Sequence, residues 1–146
     1  MTGVERPAAS RRLYLDTSAY LTILLGEAGW ERLSAETAGA TLLSSVLLVL
    51  EAKRNLIRLA REGTLKPDRY KVCMDRVDQD RDSLVLRDLT LDLCVSAHVP
   101  AVATPRSLDL AHLRTALWFH GESPLERFVT ADAAQRDAAE ELGLPI

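Results

Sequence analysis

The chain predicts an α/β fold, a three-layer α/β/α sandwich around a parallel sheet of four to five strands. Three observations carry that expectation. Short apolar runs near residues 12–16, 40–44, 83–87 and 127–130 stand apart from one another, separated by segments with helical spacing. The resulting order, β-α-α-β-α-α-β-α-α-β-α, is the alternation that feeds parallel strands through helical crossovers. At 146 residues, 47% hydrophobic and 27% charged, the chain suits one domain with a real core. Residues 1–11 read as a loosely held leader, and 12–146 as the domain.

Each element has a local reason. The run Leu13-Tyr14-Leu15 ends in Asp16, after which Ser18 opens a short helix that stops at Gly26. A second helix is expected over 27–38, ended by Gly39, and a second strand over 40–44. Ser44-Ser45 is placed to cap a long helix reaching Arg61. Pro67 suits the first turn of a helix running to Gln79, before a third strand over 83–87. Residues 89–98 read as a helix ended by Pro100, and Ser107 as the cap of a helix to His120. The fourth strand is followed by a helix over 131–142 closed by Gly143, and Leu144-Pro145-Ile146 is a candidate fifth strand.

Composition excludes several functions. With a net charge of −3, no broad basic surface of a duplex-binding module is expected, although a nucleic acid held by a metal and local basic residues remains compatible. Cys73 and Cys94 form neither a CxxC nor a Cys/His cluster, so both read as small hydrophobes in a reducing compartment. No apolar run reaches the roughly 18 residues of a membrane span, and no signal-peptide pattern follows Arg11-Arg12. A cytoplasmic protein without membrane attachment is the expectation.

The acids are informative as a group. Asp16, Asp109 and Asp132 each fall at or near a helix N-terminus, where a carboxylate caps the helix and complements its dipole. Glu51 lies almost two turns into the helix after the second strand, and Leu47 and Leu48 one turn back put it beside apolar groups. Carboxyl ends of parallel strands share one edge, so these four acids can converge there. At an effective dielectric near 20, each close carboxylate pair at about 4 Å costs on the order of 4 kcal/mol. Either some of them protonate or a hard cation, Mg²⁺ or Mn²⁺, neutralises them.

LDTSA at 15–19, Glu51 within SSVLLVLEAKRNL, SLDLAHLRTA at 107–116 and FVTADAAQRDAAEELGLPI at 128–146 together resemble the PIN domain. The likeness is to the VapC-like toxin ribonucleases of bacterial type II toxin–antitoxin pairs, and it covers the chain from residue 12 onward. What the resemblance implies is a PIN-like fold and a Mg²⁺- or Mn²⁺-dependent endoribonuclease acting on structured RNA. Asp16, Glu51, Asp109 and Asp132 match its acidic residues, Thr130 the hydroxyl of the last motif and Ser18 the polar residue of the first. The resemblance also implies a homodimer and a cognate antitoxin whose C-terminal segment reaches the acidic cleft. Two departures are residues 1–11 ahead of the first strand and Arg114 in place of an apolar residue.

In the mechanism this implies, metal held by Asp16 and Asp109, with Glu51 and Asp132 direct or through water, activates a water for in-line attack. Thr130 or Ser18 would orient a carboxylate or meet a phosphate oxygen, while Thr130 also suits an ordinary N-cap. Lys53, Arg54, Arg106 and Arg114 are candidates for phosphate contacts or for solvated helix faces. His112 reads as a core or supporting histidine, not a ligand. Leu21, Leu24, Leu25 and Trp30 fit either core packing or an antitoxin groove. The rival function is a catalytically silent interaction module on the same scaffold; a phosphotransfer enzyme is disfavoured because Asp16-Thr17-Ser18 lacks a second Asp.

Overall fold

A computed structural model of the chain describes residues 10–95, 102 and 106–146. Its elements are β1 (Arg12–Leu15), α1 (Thr17–Leu25), α2 (Trp30–Thr37), β2 (Thr41–Ser45), α3 (Leu47–Arg61) and α4 (Pro67–Ser83), then β3 (Val85–Arg87), α5 (Leu91–Val95), α6 (Ser107–Glu122), β4 (Arg127–Val129) and α7 (Ala133–Glu141). The element order is the predicted one. The strands form a single four-stranded sheet in the order β3-β2-β1-β4, with every pairing parallel. β1 is internal, and its carboxyl end opens between those of β2 and β4.

Strand periodicity sorts the core into two halves. On one face Leu13, Leu15 and Val129 pack with Ala19, Leu33, Leu48, Leu56 and Val77 of α1 to α4. On the other, Tyr14, Leu43 and Phe128 pack with Leu113, Ala116, Phe119 and Ala138 of α6 and α7. Adjacent residues of one strand serve opposite faces, as a pleated sheet buried on both sides requires. The result is a three-layer α/β/α sandwich. Tyr14 stacks on Phe128 with ring centroids 5.3 Å apart, tying internal β1 to edge strand β4 beneath the second helical layer.

Several boundaries differ from expectation, each for a local reason. α2 begins at Trp30 because Gly29, at φ 91°, is the left-handed residue before it. Ser44 belongs to β2, where its hydroxyl donates to the Leu15 carbonyl (2.6 Å); Ser45 alone serves the α3 start, accepting from Leu47 N–H (3.2 Å). α4 runs on to Ser83, held in part by Asp80, which accepts from Tyr20 and Arg76. Ser107 is the first helical residue of α6 and not its cap, and Gly121 lies inside that helix.

The C-terminal residues 144–146 do not form a fifth strand. Phe128 N–H donates to the Pro145 carbonyl (2.7 Å), but proline has no N–H to return and the ladder ends there. At the other end, Ser10 and Arg11 are fastened rather than loose: Arg11 donates to the Glu36 carbonyl (2.6 Å) and Thr41 N–H donates to the Arg11 carbonyl (2.7 Å). The rest of the expected leader, residues 1–9, and the expected stop at Pro100 lie outside the described residues. Among the described residues, no helix is long and apolar enough to cross a membrane.

Candidate active site

The sheet delivers Asp16 immediately after β1. Its backbone N–H donates to Val129 O (3.1 Å), continuing the β1–β4 ladder by one residue. Its side chain then turns to cap α1, accepting from Ala19 N–H at 3.1 Å. Ser18 Oγ donates to the same oxygen, Oδ1 (2.7 Å), and Thr130 Oγ1 donates to Oδ2 (2.6 Å). Only 4% of the residue is exposed. Burial pushes its carboxyl above the usual range, opposed by the hydrogen bonds from Thr130, Ala19 and Ser18. Asp16 is therefore a helix cap and a buried, oriented carboxylate at once.

The hydroxyl partners link two strand ends. Ser18 Oγ lies 3.1 Å from Thr130 Oγ1 and accepts from Ala131 N–H (3.0 Å), so the α1 start and the β4 end share one small network. Thr130 is not the N-cap of α7; that role falls to Asp132, whose Oδ1 accepts from Ala134 and Gln135 N–H at 2.8 and 3.2 Å. Thr130 instead accepts from Asp132 N–H (3.1 Å) while donating to Asp16. Between orienting a carboxylate and capping α7, the geometry displays the first.

Glu51, in the second turn of α3, reaches back to this edge. Its Oε1 accepts from Thr17 Oγ1 (2.9 Å) and lies 2.8 Å from His112 Nε2. His112 is 2% exposed, and its Nδ1 is 2.8 Å from the Tyr14 hydroxyl. With Nε2 protonated, the ring donates toward Glu51 and Thr17 and accepts from Tyr14, so both ring nitrogens are partnered. His112 is thus the supporting core histidine that the sequence suggested. Thr17 and Tyr14, which complete the arrangement, were not singled out, since a Thr after a strand and a Tyr within one carry no distinctive signal.

Asp109 sits in the first turn of α6, half-buried. Its carboxyl is raised by burial first and then by repulsion from Asp132 and Glu51, with Arg106 and His112 opposing. That pattern places the acid of α6 in the field of the acids of α3 and α7. Gln135, buried in α7, fastens the same corner by donating through Nε2 to the Asp109 carbonyl (2.8 Å). A buried Gln has no sequence signature, and it too was missed.

All four predicted acids therefore belong to the carboxyl edge of the sheet, but they are not yet a ligand set. Among the described residues, no three His, Cys, Asp or Glu side chains are posed to hold one metal ion. The hydrogen bonds explain why: Asp16 is tied to α1 and Thr130, Glu51 to Thr17 and His112, and Asp132 to its own helix. The donor chemistry is nonetheless that of a hard divalent cation, with carboxylate oxygens throughout and mutual repulsion to relieve.

The basic candidates divide. Lys53 is engaged by Asp78 (2.7 Å), and Arg114 donates to the Leu93 carbonyl (3.1 Å), fastening α5 to α6. Arg54 and Arg106 remain beside the acids, lining a cleft of about 560 Å³ with Glu51, Asn55, Arg58, Leu108 and Asp109. A second cavity of about 570 Å³ lies elsewhere, lined by Leu24, Trp30 and Val72 together with Arg69, Asp75, Arg76 and Asp80, from α1, α2 and α4. Leu21 and Leu25 pack against the core. No protein-family model matches the chain, and a search of curated proteins finds no match either.

Proposed function

We propose that this chain is a Mg²⁺- or Mn²⁺-dependent endoribonuclease of the PIN-domain type that its motifs resemble, acting as the toxin of a toxin–antitoxin pair. The observation that carries the reading is Asp109, whose carboxyl is raised by partial burial and by the Asp132 and Glu51 charges beside it. A carboxylate cluster in mutual repulsion, at the sheet edge where Asp16 is held in one orientation, suits a divalent cation. Asp16 and Asp109 would hold it, with Glu51 and Asp132 contributing directly or through water. A bound divalent metal lowers the pKa of a water and neutralises phosphate charge.

The chain's own groups would do the rest. Thr130 and Ser18 hold the Asp16 carboxylate in one orientation at the sheet edge. Thr17 and His112 do the same for one oxygen of Glu51, leaving the other directed by that anchor. Proposed partners are structured RNA, a cognate antitoxin and a second copy of the chain, in the cytoplasm.

The test is cleavage of RNA by the purified chain. Cleavage should require Mg²⁺ or Mn²⁺, stop with EDTA, and be lost in Asp16→Asn and Asp109→Asn. Cleavage that survives either substitution, or that ignores EDTA, overturns the reading. Expression of the chain should be toxic and relieved by the neighbouring reading frame. One observation favours the rival, a catalytically silent interaction module: Glu51 is held by Thr17 and His112 rather than directed at a shared point with Asp16 and Asp109. A folded chain that binds a partner and neither binds Mn²⁺ nor cleaves RNA would establish it.

A further inference from the structure

The cleft beside Glu51 and Asp109 carries charges of both signs in an ordered arrangement. Glu51, Arg54, Asn55 and Arg58 stand at i, i+3, i+4 and i+7 of α3, and all line it. The acids occupy one end of this stripe, and the two α3 arginines extend away from them over about 10 Å of helix. Across the cleft, Arg106, Leu108 and Asp109 come from the start of α6.

Arg54 is exposed, and exposed Arg58 donates to Glu62, at 3.2 Å one turn on, and to Asn55 at 3.3 Å. An exposed pair of that kind yields readily to a phosphate, which offers a guanidinium a stronger charge-assisted contact. Asn55 itself donates to the Glu51 carbonyl and so stiffens the stripe. Leu108, 41% exposed, adds an apolar surface on the opposite wall.

Carboxylates alone would repel an anion, and arginines alone would hold any anion. Both together, in line, suit a polyanion with regularly repeated charge whose one phosphate meets the acids through a cation while a neighbour meets the guanidiniums. We propose that this cleft seats the sugar–phosphate backbone of a single-stranded nucleic-acid segment, with Arg54 and Arg58 holding the phosphate next to the scissile one and Leu108 resting against a sugar or base face. The assignment rests on the nuclease reading and adds the direction in which the strand leaves the acids, along α3 toward Arg58. Arg54 and Arg58 are positioning residues here, since neither touches the bond that breaks.

The experiment measures binding of a fluorescein-labelled single-stranded oligoribonucleotide by anisotropy in EDTA across a salt series, and cleavage of the same oligonucleotide separately in Mn²⁺. Parent, Arg54→Ala, Arg58→Ala, the double variant and Arg32→Ala are compared; Arg32 is an exposed arginine of α2 that serves as a charge-matched control. Each α3 substitution should weaken binding about tenfold at low salt. The double variant should also lower the salt slope by about 0.7, the loss of that one single-strand phosphate contact. In Mn²⁺ the variants should raise KM while leaving kcat close to the parent's. Parent cleavage with Arg54 and Arg58 variants indistinguishable from Arg32→Ala overturns the cleft assignment and leaves the nuclease reading standing. Arg-dependent binding without cleavage by the parent supports the cleft and overturns the nuclease reading. A parent that neither binds nor cleaves overturns both.

Discussion

Two cavities of nearly equal size lie in this molecule, about 570 and 560 Å³, and they differ in what their walls can do. The first, between α1, α2 and α4, mixes Ile23, Leu24, Trp30 and Val72 with Arg69, Asp75, Arg76 and Asp80, acids and arginines interspersed. Asp80 accepts from both Tyr20 and Arg76, and Arg69 donates to the Leu24 carbonyl. The second has Glu51 and Asp109 at one end and arginines at the other, with Asp109 raised by its acidic neighbours. Volume does not separate them. What separates them is the arrangement of charge: acids stand together at one end of the second and arginines at the other.

The largest expected effect breaks that comparison outright. Asp16→Asn or Asp109→Asn should lower metal-dependent RNA cleavage by at least about 100-fold. Tyr20→Phe, in the other cavity, should leave cleavage unchanged while costing about 1.5–3 kcal/mol for the lost hydrogen bond to charged Asp80, read as a lower urea midpoint. A cleavage defect in Tyr20→Phe would erase the distinction between the two regions.

Next in size is the support beneath Glu51. His112→Leu should weaken Mn²⁺ binding about tenfold or more, because Glu51 loses the group that orients Oε1. Calorimetric titration measures this, and unaltered affinity would reduce the Tyr14–His112–Glu51 contacts to ordinary core satisfaction.

A smaller effect concerns pH in the metal-free protein. Asp16 and Asp109 both have carboxyls raised from 3.8, so the folded state binds their protons more tightly than the unfolded chain does. Their contribution to stability is fully present below 3.8 and is lost as pH rises through the raised folded values. Chemical denaturation in EDTA should therefore show a downward slope in that acidic window, flattened in Asp16→Asn and in Asp109→Asn. Mn²⁺ should restore the stability lost at the higher pH, since a bound cation favours the charged carboxylates. The smallest effect belongs to Lys53→Ala: its ammonium is engaged by Asp78, so RNA cleavage should not change.

Much of the fold was legible in the chain because its signals are local. The alternation of short apolar runs with helical segments predicted the order of elements, and Gly26 and Gly143, both at positive φ, mark the helix ends they were expected to mark. Boundaries failed where tertiary partners decided them. Asp80 lies beyond the expected end of α4 but is held by Tyr20 of α1, a contact no window of sequence around 80 could reveal. The fifth strand failed for a chemical reason already visible, the missing N–H of Pro145.

The site divides the same way. Asp16, Glu51, Asp109 and Asp132 were legible as candidates because parallel strands bring their carboxyl ends to one edge, so chain order translates into proximity. Thr17, Gln135 and Arg58 were not, since each acts through side-chain geometry: Thr17 toward Glu51, Gln135 toward the Asp109 carbonyl, Arg58 along a helical stripe begun by Glu51. The stripe is present at i, i+3, i+4 and i+7, but only the cleft shows which of the several α3 faces is used.

The central claim is that the carboxylates at the sheet edge form a divalent-metal site, and calorimetric titration of the purified chain with Mn²⁺ tests it most directly. Saturable binding is expected in the parent, lost in Asp16→Asn and in Asp109→Asn and retained in Arg54→Ala. A parent that binds no Mn²⁺, or that binds it equally well without either aspartate, would contradict it.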